Sequence, residues 1–161
     1  MQQRKDAAQL IKLSLAIEQN PVITIILDTK GKIEYVNPAF TNSTGHDLDT
    51  VLGKDPDILK PGCTDEHTLK GLWETIKAGG VWRGEVRNQT KAGDLIWERA
   101  CISPVLNEKN EITHYVAVLE DITKEKEQKE VYEYMAMHDA LTNLPNRTLF
   151  SDRLEQAIKV A

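Results

Sequence analysis

Three consecutive stretches, residues 81–91, 95–105 and 112–122, carry the β-branched and aromatic content of long strands. Ala92-Gly93-Asp94 and Asn107-Glu108-Lys109-Asn110, both of turn composition, join them. A chain that commits so many residues to strands linked this tightly must build a sheet there. The rest of the chain then has to cover that sheet.

The N-terminal part supplies two further strands and the cover. Val22-Ile23-Thr24-Ile25-Ile26-Leu27 and Lys32-Ile33-Glu34-Tyr35-Val36 flank Asp28-Thr29-Lys30-Gly31, which predicts a hairpin. Before it, Leu10, Ile11, Leu13, Leu15 and Ile17 recur at helical spacing, and Asn20-Pro21 stops that helix. After it, Asn37-Pro38 reads as the cap and first residue of a short helix broken at Gly45, and Asp47 opens another that ends at Gly53. Pro56, Pro61 and Gly62 mark a loop. Residues 64–77 form the strongest internal helix, with Thr64 as cap and Leu69, Leu72, Trp73 and Ile76 on one stripe. The predicted order is β-β-α-α-α-β-β-β between flanking helices, an α+β arrangement.

Charge and cysteine content exclude several classes. With 20 Lys+Arg against 25 Asp+Glu the net charge is −5, and no basic face is concentrated enough for nucleic acid. The longest apolar run near the N-terminus falls far below the roughly 18 residues of a membrane span, and no signal peptide is visible. Direct membrane contact is therefore not expected. Cys63 and Cys101 lie far apart with no C-x-x-C, which fits a reducing cytoplasm and no zinc site.

The order, together with Tyr35-Val36-Asn37-Pro38-Ala39-Phe40, Thr44-Gly45-His46-Asp47, Trp82-Arg83-Gly84-Glu85 followed by Asn88, and Asp121-Ile122-Thr123, resembles a PAS domain over residues 17–123. The resemblance implies a five-stranded antiparallel sheet with helices on one face and a small-molecule pocket between them. Leu72-Trp73 before Trp82-Arg83-Gly84-Glu85 is similar to a subgroup that includes the flavin-binding PAS of a nitrogen-fixation regulator. Flavin, as FAD, is the ligand this implies, with a metabolite or an empty pocket as alternatives. Light-sensing LOV domains carry a nucleophilic Cys in G-x-N-C-R-F-L-Q. Here Pro56 stands at that position, so a flavin–thiol adduct is excluded there.

Strand periodicity singles out Asn88. In residues 81–91 the even positions Trp82, Gly84, Val86 and Asn88 share the apolar side, so an amide points inward. Either backbone and water satisfy it or a ligand does. Trp82 shares the face, and Gly84 lets something approach the sheet closely. Asn88, Trp82, Gly84, Asn42 and Asn37 are the candidate cofactor contacts; no catalytic or metal residue is expected. His67, in the helical region where heme-binding PAS proteins ligate iron through a His, lies off the apolar stripe of its helix and reads as a solvated side chain.

The C-terminal part reads as a connector. Residues 124–138 are charged and helical, with Val131, Tyr134, His138 and Leu141 at the 3-4-3 spacing of a short coiled-coil seam. Asp139-Ala140-Leu141-Thr142-Asn143-Leu144-Pro145-Asn146-Arg147 then resembles D-x-L-T-G-L-x-N-R, the entry sequence of GGDEF domains, the diguanylate cyclase family, with Asn143 in place of Gly. The expected organisation is a cap helix over residues 1–16, a PAS domain over 17–123, a linker helix over 124–138 and the start of a GGDEF domain over 139–161. The resemblance implies a sensor controlling cyclic di-GMP synthesis, without catalytic residues of its own in these 161 positions. A homodimer through the N-terminal helix, sheet and linker helix is the expected assembly. A ligand-free dimerisation or protein-interaction module is the alternative.

Overall fold

The computed structural model describes residues 2–59 and 64–160. It divides into two compact units, Met1–Ile122 and Thr123–Ala161. In the first, helix α1 (Gln2–Glu18) leads into strands β1 (Ile23–Leu27) and β2 (Ile33–Val36). Helices α2 (Pro38–Thr44), α3 (Leu48–Val51) and α4 (Glu66–Lys77) follow, with a 3-10 turn at Pro56–Leu59 between the last two. Strands β3 (Trp82–Gln89), β4 (Leu95–Leu106) and β5 (Ile112–Asp121) complete the unit.

The five strands form one antiparallel sheet in the order β2-β1-β5-β4-β3. Three pairs consecutive in sequence, β1–β2, β3–β4 and β4–β5, meet through turns, but β2 and β3 lie at opposite edges. The chain from Val36 to Trp82 must therefore cross the sheet, and it does so as helices that cover one face. Alternate residues of the strands point into that cover. Ile23, Ile25 and Leu27 of β1, Val86 of β3, Ala100 and Ile102 of β4, and Tyr115, Ala117 and Leu119 of β5 pack with Phe40, Val51, Leu72 and Ile76 from the helices.

The exit from β2 is held by Asn37, whose side chain is 0% exposed. Its Oδ1 accepts from the backbone N–H of Thr24 (3.0 Å) and of Phe40 (3.2 Å), the second bond being the cap of α2. Its Nδ2 donates to the carbonyls of Val22 (2.9 Å), Ile17 (3.2 Å) and Asn20 (3.4 Å). One amide thus joins the end of α1, the start of β1 and the start of α2. The turn before β2 needs Gly31 for a different reason: its φ of +81° is left-handed, and a Cβ there would lie 2.5 Å from the Trp73 ring. Trp73 in turn meets Tyr115 edge to face at 6.4 Å.

Two local expectations change. Asp65, not Thr64, caps α4: its Oδ1 accepts from Thr68 N–H at 2.8 Å and its Oδ2 from the Thr68 hydroxyl at 2.6 Å. Thr64 instead bonds both backbone groups of Arg87, tying the loop before α4 to β3. Pro56, expected in a loop, opens the 3-10 turn; Pro61, Gly62 and Cys63 lie outside the described residues.

In the second unit, α5 (Thr123–Met137) and α6 (Arg147–Val160) are joined by an elbow built from the Asp139–Arg147 sequence. Asp139 Oδ1 accepts from Leu141 N–H, Thr142 N–H and the Thr142 hydroxyl, and these bonds, those of Thr142 first, hold its carboxyl below the usual aspartate range. Asn143 has φ +57°, a left-handed backbone that Asn tolerates better than most residues and Gly best. Its Oδ1 accepts from Tyr134 Oη at 2.9 Å. Asn146 closes the elbow, donating from Nδ2 to Ala136 carbonyl and accepting from Leu149 N–H. The 3-4-3 seam does not survive, because α5 ends at Met137. Of its members only Val131 and Tyr134 are helical; His138 stacks back on Tyr134 at 4.0 Å, and Leu141 is 97% exposed in the loop.

Asn37→Ala strands buried donors and carbonyls at three segment ends. It is expected to lower unfolding stability by about 3 kcal/mol, since each unpaired buried group costs roughly 1–3 kcal/mol. Urea titration should show a lower midpoint at unchanged slope.

Candidate functional site

The inner sheet face is apolar except near one end, where β3 and β4 each turn a polar side chain inward. The β3–β4 register sets Asn88 opposite Ile96 and Glu98 opposite Val86, so the two polar residues are diagonal neighbours on the same face. Both are buried, Asn88 at 2% exposure and Glu98 at 1%. Asn88 Nδ2 donates to Glu98 Oε2 in a short hydrogen bond. Asn88 Oδ1 is buried without a partner.

Asn88 belongs to the lining of a cavity between sheet and helices. The walls are the strand residues Ile25, Leu27, Ala100 and Ala117 on one side and Leu72, Trp73, Ile76, Pro56 and the one acidic residue Asp57 on the other. The cavity measures about 50 Å³. It is long on hydrocarbon and short on polar groups, the make-up of a site for a flat, mostly apolar molecule anchored at one polar end.

The predicted contacts separate in space. Asn88 borders the cavity as its strand register required. Trp82 and Gly84 do not: the Trp82 indole folds over Gly84, where a Cβ would sit 2.6 Å from the ring. The close approach that glycine permits is made by the chain's own tryptophan. Asn37 is a correction as well, because backbone groups take up its amide. Asn42 is exposed and, with Asn37, edges a separate open concavity near Tyr35 and Leu48. His67 is exposed, off the cavity, as its place in the helix indicated.

Glu98 was missed. The alternation Ile96, Ala100, Ile102 places position 98 on the inner side too. Trp97 takes the outer face, under the Arg87 guanidinium at 5.6 Å.

The shifted titrations of His46, Tyr35 and Asp65 concern groups away from the cavity. Burial, then the Lys91 and Lys54 charges, push His46 down. Burial, then Glu18, pushes Tyr35 up, and hydrogen bonds from Thr68 hold Asp65 low. Cys101 sits on the outer sheet face beside Val118, and no thiol among the described residues borders the cavity. Pro56 does border it. No helix among the described residues is long and apolar enough to cross a membrane.

The sequence model of the PAS domain matches residues 21–124. The nitrogen fixation regulatory protein of Klebsiella pneumoniae is 31% identical over 88% of this chain and 29% of its own length. A blue-light-activated histidine kinase of Brucella anthropi is 28% identical over 91% of this chain and 30% of its own length. The chain thus spans less than a third of these curated relatives. Among solved structures, an RNA-binding light-oxygen-voltage receptor superposes with a TM-score of 0.74 at 27% identity, over 81% of this chain and 38% of that one. The LOV domain of the Erythrobacter litoralis EL346 blue-light-activated histidine kinase gives 0.61 at 21% identity, over 65% and 99%, a likeness of fold.

The Trp82–Gly84 arrangement predicts a coupled pair. Gly84→Ala should destabilise by roughly 1–3 kcal/mol through overpacking. In a Trp82→Ala background the same change should cost little, and chemical unfolding of the four proteins gives the coupling.

Proposed function

This chain belongs to the PAS domain family, and we propose that its cavity makes it the sensory module of a larger signalling protein. The observation that carries the reading is Asn88, which lines a mostly apolar cavity and whose Oδ1 is a buried acceptor without a partner. Such an atom costs free energy until a ligand donates to it. A flavin ring, the ligand implied by the subgroup resemblance, fits this chemistry: its polar edge would meet Asn88, and Leu72, Ile76 and Ala117 would flank its hydrocarbon part. A bound flavin supplies redox or light-responsive chemistry. The chain's own part is to hold the polar edge, exclude water and, with Pro56 at the wall, offer no thiol there.

The volume speaks for a second reading. At about 50 Å³ the cavity holds one or two waters rather than a three-ring heterocycle. Ligand entry therefore requires the wall formed by Pro56, Asp57 and α4 to move outward; a ligand-free interaction module requires nothing.

The proposed output lies beyond α5. The Asp139–Arg147 resemblance supports a GGDEF domain in the intact protein, and the left-handed Asn143, at the glycine position of that pattern, agrees with it. Ligand occupancy or redox state would pass along the sheet to Asp121-Ile122-Thr123, where Ile122 N–H bonds Trp97 carbonyl, and on into α5. A cytoplasmic homodimer is part of the proposal. Its support is the row of exposed apolar residues on α1, Leu10, Ile11, Leu13, Leu15 and Ile17, and Val105 and Val118 on the outer sheet face.

The visible spectrum of the purified chain decides between the two readings. Flavin bands, shifted or lost in Asn88→Ala, are expected; a colourless protein that takes up neither FAD nor FMN on titration leaves the interaction module. This polypeptide alone should also produce no cyclic di-GMP, and GTP turnover by it would refute that assignment.

A further inference from the structure

Glu98 has no part in the function described so far, yet it is among the most buried side chains of the protein. It is also the group that determines how its neighbour faces the cavity. A carboxamide is symmetrical in shape and opposite in chemistry at its two ends: the NH2 donates and the oxygen accepts. Turned one way, Asn88 would offer the cavity a donor; turned the other, an acceptor. Carboxylate oxygens accept only, so a Glu98 carboxylate draws the NH2 toward itself. Nδ2 is accordingly on Glu98 Oε2, and Oδ1 is left buried and without a partner on a residue that lines the cavity.

We propose that Glu98 is a positioning residue that sets the polarity of the ligand site. It holds Asn88 as an acceptor, so the site selects a planar heterocycle that presents an N–H donor, such as an imide, and rejects the same ring methylated at that nitrogen. The proposal rests on reading the cavity as a ligand site. The surroundings sharpen the selection: apart from Asp57, whose carboxylate is itself an acceptor, the other side chains around the cavity are mostly hydrocarbon, so a ligand lacking the donor finds little to compensate the unpaired oxygen. Substitution by glutamine removes the constraint with almost no change of shape, because a glutamine amide can receive the Asn88 NH2 or donate to its oxygen.

Two measurements on the whole chain test this. The first uses no ligand: in 15N-labelled protein the Asn88 side-chain NH2, assigned by its absence in Asn88→Ala, should exchange with solvent deuterium more slowly than in Glu98→Gln. The expected difference is roughly 10- to 100-fold, the worth of a hydrogen bond to a charged group. The second compares FMN with its N3-methyl analogue by fluorescence titration. The wild type should prefer FMN by about tenfold or more, and Glu98→Gln should bring the ratio close to one while its unfolding midpoint shows it folded.

Rapid exchange of the wild-type NH2 overturns the proposal, as does equal wild-type affinity for the two flavins. If neither flavin binds, the flavin reading fails, and the exchange measurement alone decides whether Glu98 orients Asn88. Both wild-type measurements stand even where Glu98→Gln fails to fold.

Discussion

The constraint on which the fold hangs is the sharp departure of the chain from the sheet after Val36. A strand that ends at a sheet edge must redirect its backbone within one or two residues, and the polar groups exposed by the change of direction have no ladder to bond. Asn37 satisfies them from a single buried amide, reaching back to α1 and β1 and forward to α2. With that corner in place, the long crossing from one sheet edge to the other starts in the right direction. The helices then fall on one face only. The cavity exists because the same crossing closes over a sheet whose inner residues, Ala100 and Ala117 among them, are too small to fill the space.

Much of this was legible in the sequence where a residue's role depends on its near neighbours. The strands, the hairpin at Asp28–Gly31 and the Asn37 cap follow from alternation, turn composition and capping chemistry, all local signals. What was not legible depended on which atoms arrive from elsewhere. Thr64 and Asp65 are equally good caps by type, and the choice fell to Asp65 because Arg87 on β3 claims the threonine. Gly84 announced a close approach without saying of what; a side chain two residues away turned out to be the answer. The seam through His138 and Leu141 kept its period on paper, but the elbow bonds stop α5 first.

The candidate site was half legible for the same reason. Asn88 could be placed inward by counting along its own strand. Glu98 could not be weighed without its partner, since an inward glutamate in isolation contradicts the burial of charge, and only pairing across the β3–β4 register makes sense of it. The result is a polar pair within a hydrocarbon wall. Such a pair restricts what can bind more than it adds to affinity, because the penalty for a wrong partner exceeds the gain from a right one.

The elbow between α5 and α6 has a mechanical consequence. Its bonds tie the bend together: Asn146 Nδ2 to the Ala136 carbonyl, the Tyr134 hydroxyl to Asn143 Oδ1, and Asp139 Oδ1 to its own turn. A plain loop would act as a swivel and dissipate any twist applied to α5. This one resists torsion, so a turn of α5 about its long axis swings α6 through an arc, as a crank converts rotation of a shaft into sweep of an arm.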